Sequence, residues 1–72
     1  MKTYLILYFS GNSKPSDIAK KLEKIGFKAA IGRYDFVYEW KKKPTTQEIL
    51  DLGDQVTDIL RDTGIVFKLE SE

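Results

Sequence analysis

Two apolar helical patterns in this chain end alike, one in Lys24-Ile25-Gly26-Phe27 and the other in Asp62-Thr63-Gly64-Ile65. In each, glycine supplies the left-handed residue that stops a helix, and the apolar residue after it returns to the core. A strand pattern stands before and after each joint. The unit strand–helix–glycine–strand therefore occurs twice, which leaves few architectures open.

Read from the start, Tyr4 to Phe9 is a continuous apolar run, with Tyr4, Ile6 and Tyr8 on one face and Leu5, Leu7 and Phe9 on the other. A strand apolar on both faces is normally covered on both. Gly11-Asn12-Ser13 breaks it, and Pro15 fits the first turn of a helix capped by Ser13 or Lys14. Ile18, Leu22 and Ile25 form the buried stripe of that helix, while Lys20, Lys21 and Lys24 point away. Phe27 to Ile31 then reads as a short strand, Gly32-Arg33 as a turn, and Tyr34 to Trp40 as an antiparallel strand. Lys41-Lys42-Lys43-Pro44 ends that strand in solvent. Thr45-Thr46-Gln47-Glu48 is a capping box, in which the Thr45 hydroxyl takes the Glu48 amide and the Glu48 carboxylate reaches back.

The helix it opens carries Ile49, Leu52, Gly53, Val56, Ile59 and Leu60 in one wide stripe. Gly53 costs about 1 kcal/mol relative to alanine in a helix interior, and the expectation is that it lets the helix approach the sheet closely. Ile65 to Leu69 is the last strand, with Ile65, Phe67 and Leu69 facing inward. The order predicts an α+β, ferredoxin-like βαββαβ domain over residues 1–72. Two right-handed crossovers put both helices on one face of a four-stranded antiparallel sheet.

Seventy-two residues sit near the lower limit for a single core, and with no cysteine and no histidine there are neither disulfides nor ordinary zinc sites to help. Such a chain relies on an efficient layered core or on surface buried in an oligomer. The apolar run near the start is too short for a membrane span and leads into Ser10-Gly11-Asn12-Ser13-Lys14-Pro15, not a small-residue cleavage site. A cytoplasmic protein without membrane association is expected. The net charge of +1 hides an asymmetry: from Lys14 to Lys43 nine basic residues face four acids, net +5, and from Pro44 to Glu72 two face seven, net −5. A near-neutral total argues against a pure nucleic-acid binder, while the split gives two electrically different surfaces.

The run from Gly32 to Trp40 contributes Tyr34, Phe36, Tyr38 and Trp40, out of four tyrosines, four phenylalanines and one tryptophan in the whole chain. The helices cover only one sheet face, and the first and third strands offer more apolar surface than that face needs. A patch of several hundred Å2 left open marks an interaction site. Tyr4, Tyr8, Tyr38 and Trp40 are therefore the candidate homodimer interface, with the alternation of the third strand left open by one residue.

Gly32-Arg33-Tyr34-Asp35, followed by an apolar strand, a helix and Thr63-Gly64-Ile65, resembles the RAM effector-binding domains of leucine-responsive regulators and the GYD domain family. That resemblance implies a dimeric α/β barrel paired through the open sheet face, and a small ligand near Gly32, Tyr34 and Asp35. Regulation of transcription is not carried over. A second resemblance is to the RRM fold, through Leu7-Tyr8-Phe9-Ser10-Gly11-Asn12 and Tyr34-Asp35-Phe36-Val37. It implies single-stranded RNA or DNA stacked on Tyr8 and Phe36, with Lys41, Lys42 and Lys43 on the backbone. The pattern departs from that family where Arg33 follows Gly32, Asp35 replaces a small residue, and Glu39 stands where an aromatic belongs.

Acid–base or nucleophilic catalysis needs an activated group in a pocket, and neither His nor Cys is present. Glu48, Asp51, Asp54, Asp58 and Asp62 lie along one side of the second helix, where a solvated convex face explains them better than a cation cage. The three-lysine run reads as a solubilising strand end, and Asp35 as an acceptor of backbone amides that fixes its turn. The sequence thus predicts a non-catalytic, cofactor-free homodimerising domain with a small-ligand site, and a nucleic-acid binder as the alternative.

Overall fold

Strand β1 (Lys2–Tyr8) lies in the interior of the sheet, pairing antiparallel with β3 (Phe36–Glu39) on one side and with β4 (Val66–Ser71) on the other. The remaining elements are α1 (Pro15–Lys24), β2 (Lys28–Ala29), which pairs with β3, and α2 (Thr46–Leu60). The computed structural model describes residues 1–8 and 14–72, so Phe9 and the Ser10–Ser13 turn, including the Ser13 cap, lie outside the described residues. The result is an α+β chain with a four-stranded antiparallel sheet of order β2-β3-β1-β4 and two helices.

The register assigns the faces. Leu5 is opposite Phe36 and Leu69, Leu7 is opposite Phe67, and Thr3 is opposite Tyr38 and Ser71. Leu5, Leu7 and Phe36 join Ile18 and Leu22 of α1 and Leu52, Val56 and Leu60 of α2 in one buried cluster, with Tyr38, Trp40, Phe67 and Leu69 packed against it. The opposite face carries Lys2, Tyr4, Ile6 and Tyr8 of β1, opposite Glu39 and Val37 of β3 and Glu70, Lys68 and Val66 of β4.

Local sequence explains the helix ends. Pro15 is in the first turn of α1, where its missing amide costs nothing; Lys14 is the N-cap, with no side-chain bond. At the other end Phe27 N bonds Leu22 O at 3.1 Å and Gly26 N bonds Glu23 O at 3.1 Å, the paired bonds of a Schellman stop, with Gly26 at φ 110°. The capping box forms as the sequence predicts: Glu48 N donates to Thr45 Oγ1 at 3.1 Å, and Thr45 N donates to Glu48 Oε1 at 2.9 Å.

Several details depart from the sequence reading. β2 is confined to Lys28–Ala29 and β3 to Phe36–Glu39, shorter than the expected strand from Tyr34 to Trp40, and Phe27 is a core residue at the helix stop, 2 % exposed. The β2–β3 connection is wider than a Gly32-Arg33 turn, and is closed by Ala30 N to Asp35 O at 3.0 Å. Helix α2 ends at Leu60, earlier than Gly64: Asp62 (φ 63°) and Gly64 (φ 76°) both take left-handed conformations in the connection to β4. Gly53 is not a close-approach residue, since a Cβ built there would lie 3.8 Å from Leu69 Cδ1, ordinary contact distance.

Candidate functional site

The third strand holds the main correction. Phe36, Tyr38 and Trp40 belong to the side of the sheet that carries the core, not to the open face. Phe36 is 9 % exposed. The physical reason lies in parity. A one-residue change of register exchanges the faces of a strand, and the choice here is between an all-aromatic set and Val37 with Glu39. The aromatic set buries more apolar surface, so it takes the core.

Tyr38 and Trp40 then meet at a ring-centroid distance of 4.6 Å, tilted by 59°, and Tyr38 meets Phe27 edge-on at 5.5 Å. Trp40 Nε1 donates to Thr3 Oγ1 at 2.9 Å, and the Thr3 hydroxyl is 2.8 Å from Ser71 Oγ. Thr3, 1 % exposed, is the only buried polar residue among those described, and it was not singled out from the sequence. Its signal was available only as a hydroxyl on the same parity as Leu5 and Leu7.

Of the proposed interface residues, Tyr4 and Tyr8 are on the open face. So is Tyr34, which reaches it because the chain leaves the ladder at Asp35. Asp35 N donates to Leu5 O at 3.0 Å, and its carboxylate Oδ2 accepts the Leu7 amide at 2.7 Å. A side chain thereby serves the β1 amide that lies beyond the last β3 ladder pair, Leu5 with Phe36. Gly32, at φ 103°, has open space around it.

The Tyr34 ring stacks on Tyr4 at 4.3 Å and 21°, with the Arg33 guanidinium 5.1 Å from the Tyr34 centroid. The two phenols reach across to β4 and the chain end: Tyr34 donates to Glu70 Oε2 at 3.0 Å and Tyr4 to Glu72 Oε1 at 3.0 Å. Glu70 also takes Lys68 Nζ at 2.9 Å. These bonds set the titration of the cluster. Lys68 and then Tyr34 hold the Glu70 carboxyl below its ordinary value, while the bond to Glu70 raises Tyr34 and the bond to Glu72 raises Tyr4. Lys68 is raised by Glu70.

The open face also carries the Lys2–Glu39 pair at one end and apolar side chains at the other. Tyr8 and Val66 are directly opposite each other and 54 % and 65 % exposed, with Ile6 and Val37 half-buried on the same face. Ile31, in the β2–β3 connection, is fully exposed.

The lysine run is elsewhere. Lys41 and Lys42 help line a cleft of about 710 Å3 at the β2–β3 edge, together with Gly26, Lys28, Tyr38, Glu39, Trp40 and Glu48, whereas Lys43 is exposed outside it. Gly26 has a second constraint here, because a Cβ at that position would come within 2.8 Å of Tyr38 Cε2. Among the described residues no helix is long and apolar enough to cross a membrane.

Set against known protein families, characterised proteins and solved structures, the chain has no significant match to any of them. Its functional reading therefore rests on geometry and chemistry.

Proposed function

We propose that this chain is a small non-catalytic domain of ferredoxin-like βαββαβ architecture, with both helices on one sheet face, that pairs with a second copy through the other. The observation that carries the reading is the cross-strand pair Tyr8 and Val66, each more than half exposed on the uncovered face, with Ile6 two residues along β1 on the same face. Exposed apolar surface of this kind marks an interaction site, and its aromatic member suits the role of anchor. Pairing through the open face is also what the RAM and GYD resemblance implies.

The Tyr4–Tyr34 stack and its glutamates form a polar border to that patch, the usual anatomy of an interface. Of the other sequence candidates, Tyr38 and Trp40 pack against the core, which favours an interface without them. At Gly32, Tyr34 and Asp35 the Tyr34 hydroxyl donates to Glu70 and one Asp35 carboxylate oxygen accepts the Leu7 amide, which favours pairing of copies over a small-ligand site there. Base stacking on Tyr8 and Phe36 together is disfavoured by the burial of Phe36.

Sedimentation from micromolar to millimolar concentration tests the reading. The expected result is a concentration-dependent dimer that Tyr8→Lys converts to a folded monomer, because an unpaired charge would be buried in the contact. Leu50→Lys, at an exposed position on α2, should leave the dimer intact. A wild-type chain that stays monomeric at millimolar concentration overturns the proposal. Saturable binding of single-stranded RNA that is lost in Tyr8→Ala would point to the nucleic-acid class instead.

A further inference from the structure

We infer that the cleft beside Trp40 is a binding site for a planar aromatic anion of mononucleotide size, its ring against Trp40 and its charge between Lys41 and Lys42. The cleft, about 710 Å3, falls within the range of small-molecule sites. One part of its wall is the angle between the Tyr38 and Trp40 rings, 59° at 4.6 Å, held by the edge contact of Tyr38 on Phe27 and by the Trp40 bond to Thr3. Two aromatic rings fixed in this way form a preorganised surface for a flat ring.

The charges around it are unevenly matched. Glu39 is 3.8 Å from Lys28 and also 3.8 Å from Lys2, and Glu48 closes its own helix cap through Thr45 N. Lys41 and Lys42 have no ion pair among the described residues, and both line the cleft. Adjacent unpaired ammonium groups next to an aromatic wall match a ligand that joins a ring to a phosphate or carboxylate. A cation would meet excess positive charge, and a neutral ring would gain nothing from the lysines. The cleft lies at the β2–β3 edge, and Tyr8, Val66, Ile6 and Val37 are not among its lining residues.

Trp40 is the single tryptophan, and its emission and indole N–H resonance report on the site directly. AMP serves as the probe, with adenosine and inorganic phosphate as the ring-only and charge-only arms. AMP should quench saturably at millimolar or lower concentration and bind ~10-fold or more tightly than either arm, about 1.4 kcal/mol. Lys41→Gln/Lys42→Gln should weaken AMP binding by at least ~10-fold with the thermal midpoint unchanged. Lys20→Gln/Lys21→Gln, on the exposed side of α1, should not alter binding. Absence of saturable AMP binding, equal binding of adenosine or of phosphate, or full affinity in the Lys41/Lys42 double variant would each overturn the assignment.

Discussion

Trp40 Nε1 donates to the hydroxyl of Thr3 at 2.9 Å, tying the end of the aromatic strand to the start of the central one through a side chain that is 1 % exposed. The Thr3 proton is free to go to Ser71 on β4, so one hydroxyl links three parts of the sheet. Thr3→Val keeps the shape and removes both bonds, leaving the indole N–H without an acceptor. The expected cost is about 1–3 kcal/mol in urea unfolding, with a shift of Trp40 emission. Thr3→Ser retains the hydroxyl and should cost less. Equal stability of Thr3→Val and wild type would show that water replaces Thr3 at the indole.

Gly26 and Gly53 should respond oppositely to alanine. At Gly26 the backbone is at φ 110° and the new Cβ would press on the Tyr38 ring at 2.8 Å, so Gly26→Ala should destabilise by more than the ~1–2 kcal/mol of left-handed strain alone. At Gly53 the new methyl finds Leu69 at 3.8 Å inside a regular helix. Gly53→Ala should therefore stabilise by about 0.5–1 kcal/mol. Thermal midpoints that move in the same direction for both variants would contradict this reading.

These glycines also show what the sequence could and could not tell. The helix stop at Gly26 and the Thr45–Glu48 box were legible because the groups involved lie within a few residues of one another. The buried residues of both helices were legible for the same reason, through periodicity. The face taken by β3 was not legible, because β1 is apolar on both sides and either parity of β3 could have been matched to it. Only the three-dimensional competition for burial decides that Phe36, Tyr38 and Trp40 go inward. The cleft was likewise invisible, since Gly26, Trp40 and Glu48 are brought together by the α1 stop, the β3 end and the α2 start. Asp35 bonds β1 twice, through its amide to Leu5 O and through its carboxylate to the Leu7 amide.

The pair of hydrogen bonds that Asp35 makes to β1 gives a prediction of its own. Asp35→Ala leaves the Leu7 amide without its acceptor, and the expected cost is about 1–3 kcal/mol. Asp35→Asn keeps a carbonyl oxygen and should retain much of the stability. Slower amide exchange at Leu7 in the asparagine variant than in the alanine variant would confirm the assignment at the atom concerned. Identical exchange in both would show that the ladder closes without the side chain.

The open-face cluster should make stability depend on pH at both extremes, with the signs fixed by its bonds. Glu70 has a lowered pKa in the folded state, chiefly from Lys68 and then from Tyr34. Its contribution is therefore present above the ordinary carboxylate range and is lost as pH falls through the lowered folded value. Tyr34 and Tyr4 have raised folded values, from their bonds to Glu70 and Glu72. Their contribution is present below the ordinary phenol range and is lost as pH rises through the raised values. Lys68, raised by Glu70, acts in the same alkaline direction. All four groups sit at the surface, so the effects should be small and should shrink with added salt. In thermal scans across pH, Glu70→Gln should flatten the acid limb and weaken the alkaline one, because Lys68 and Tyr34 lose their shared partner. Tyr34→Phe should remove its own part of the alkaline limb and, by taking one donor from Glu70, a smaller part of the acid limb. An acid limb unchanged by Glu70→Gln would assign the loss of stability to other carboxylates.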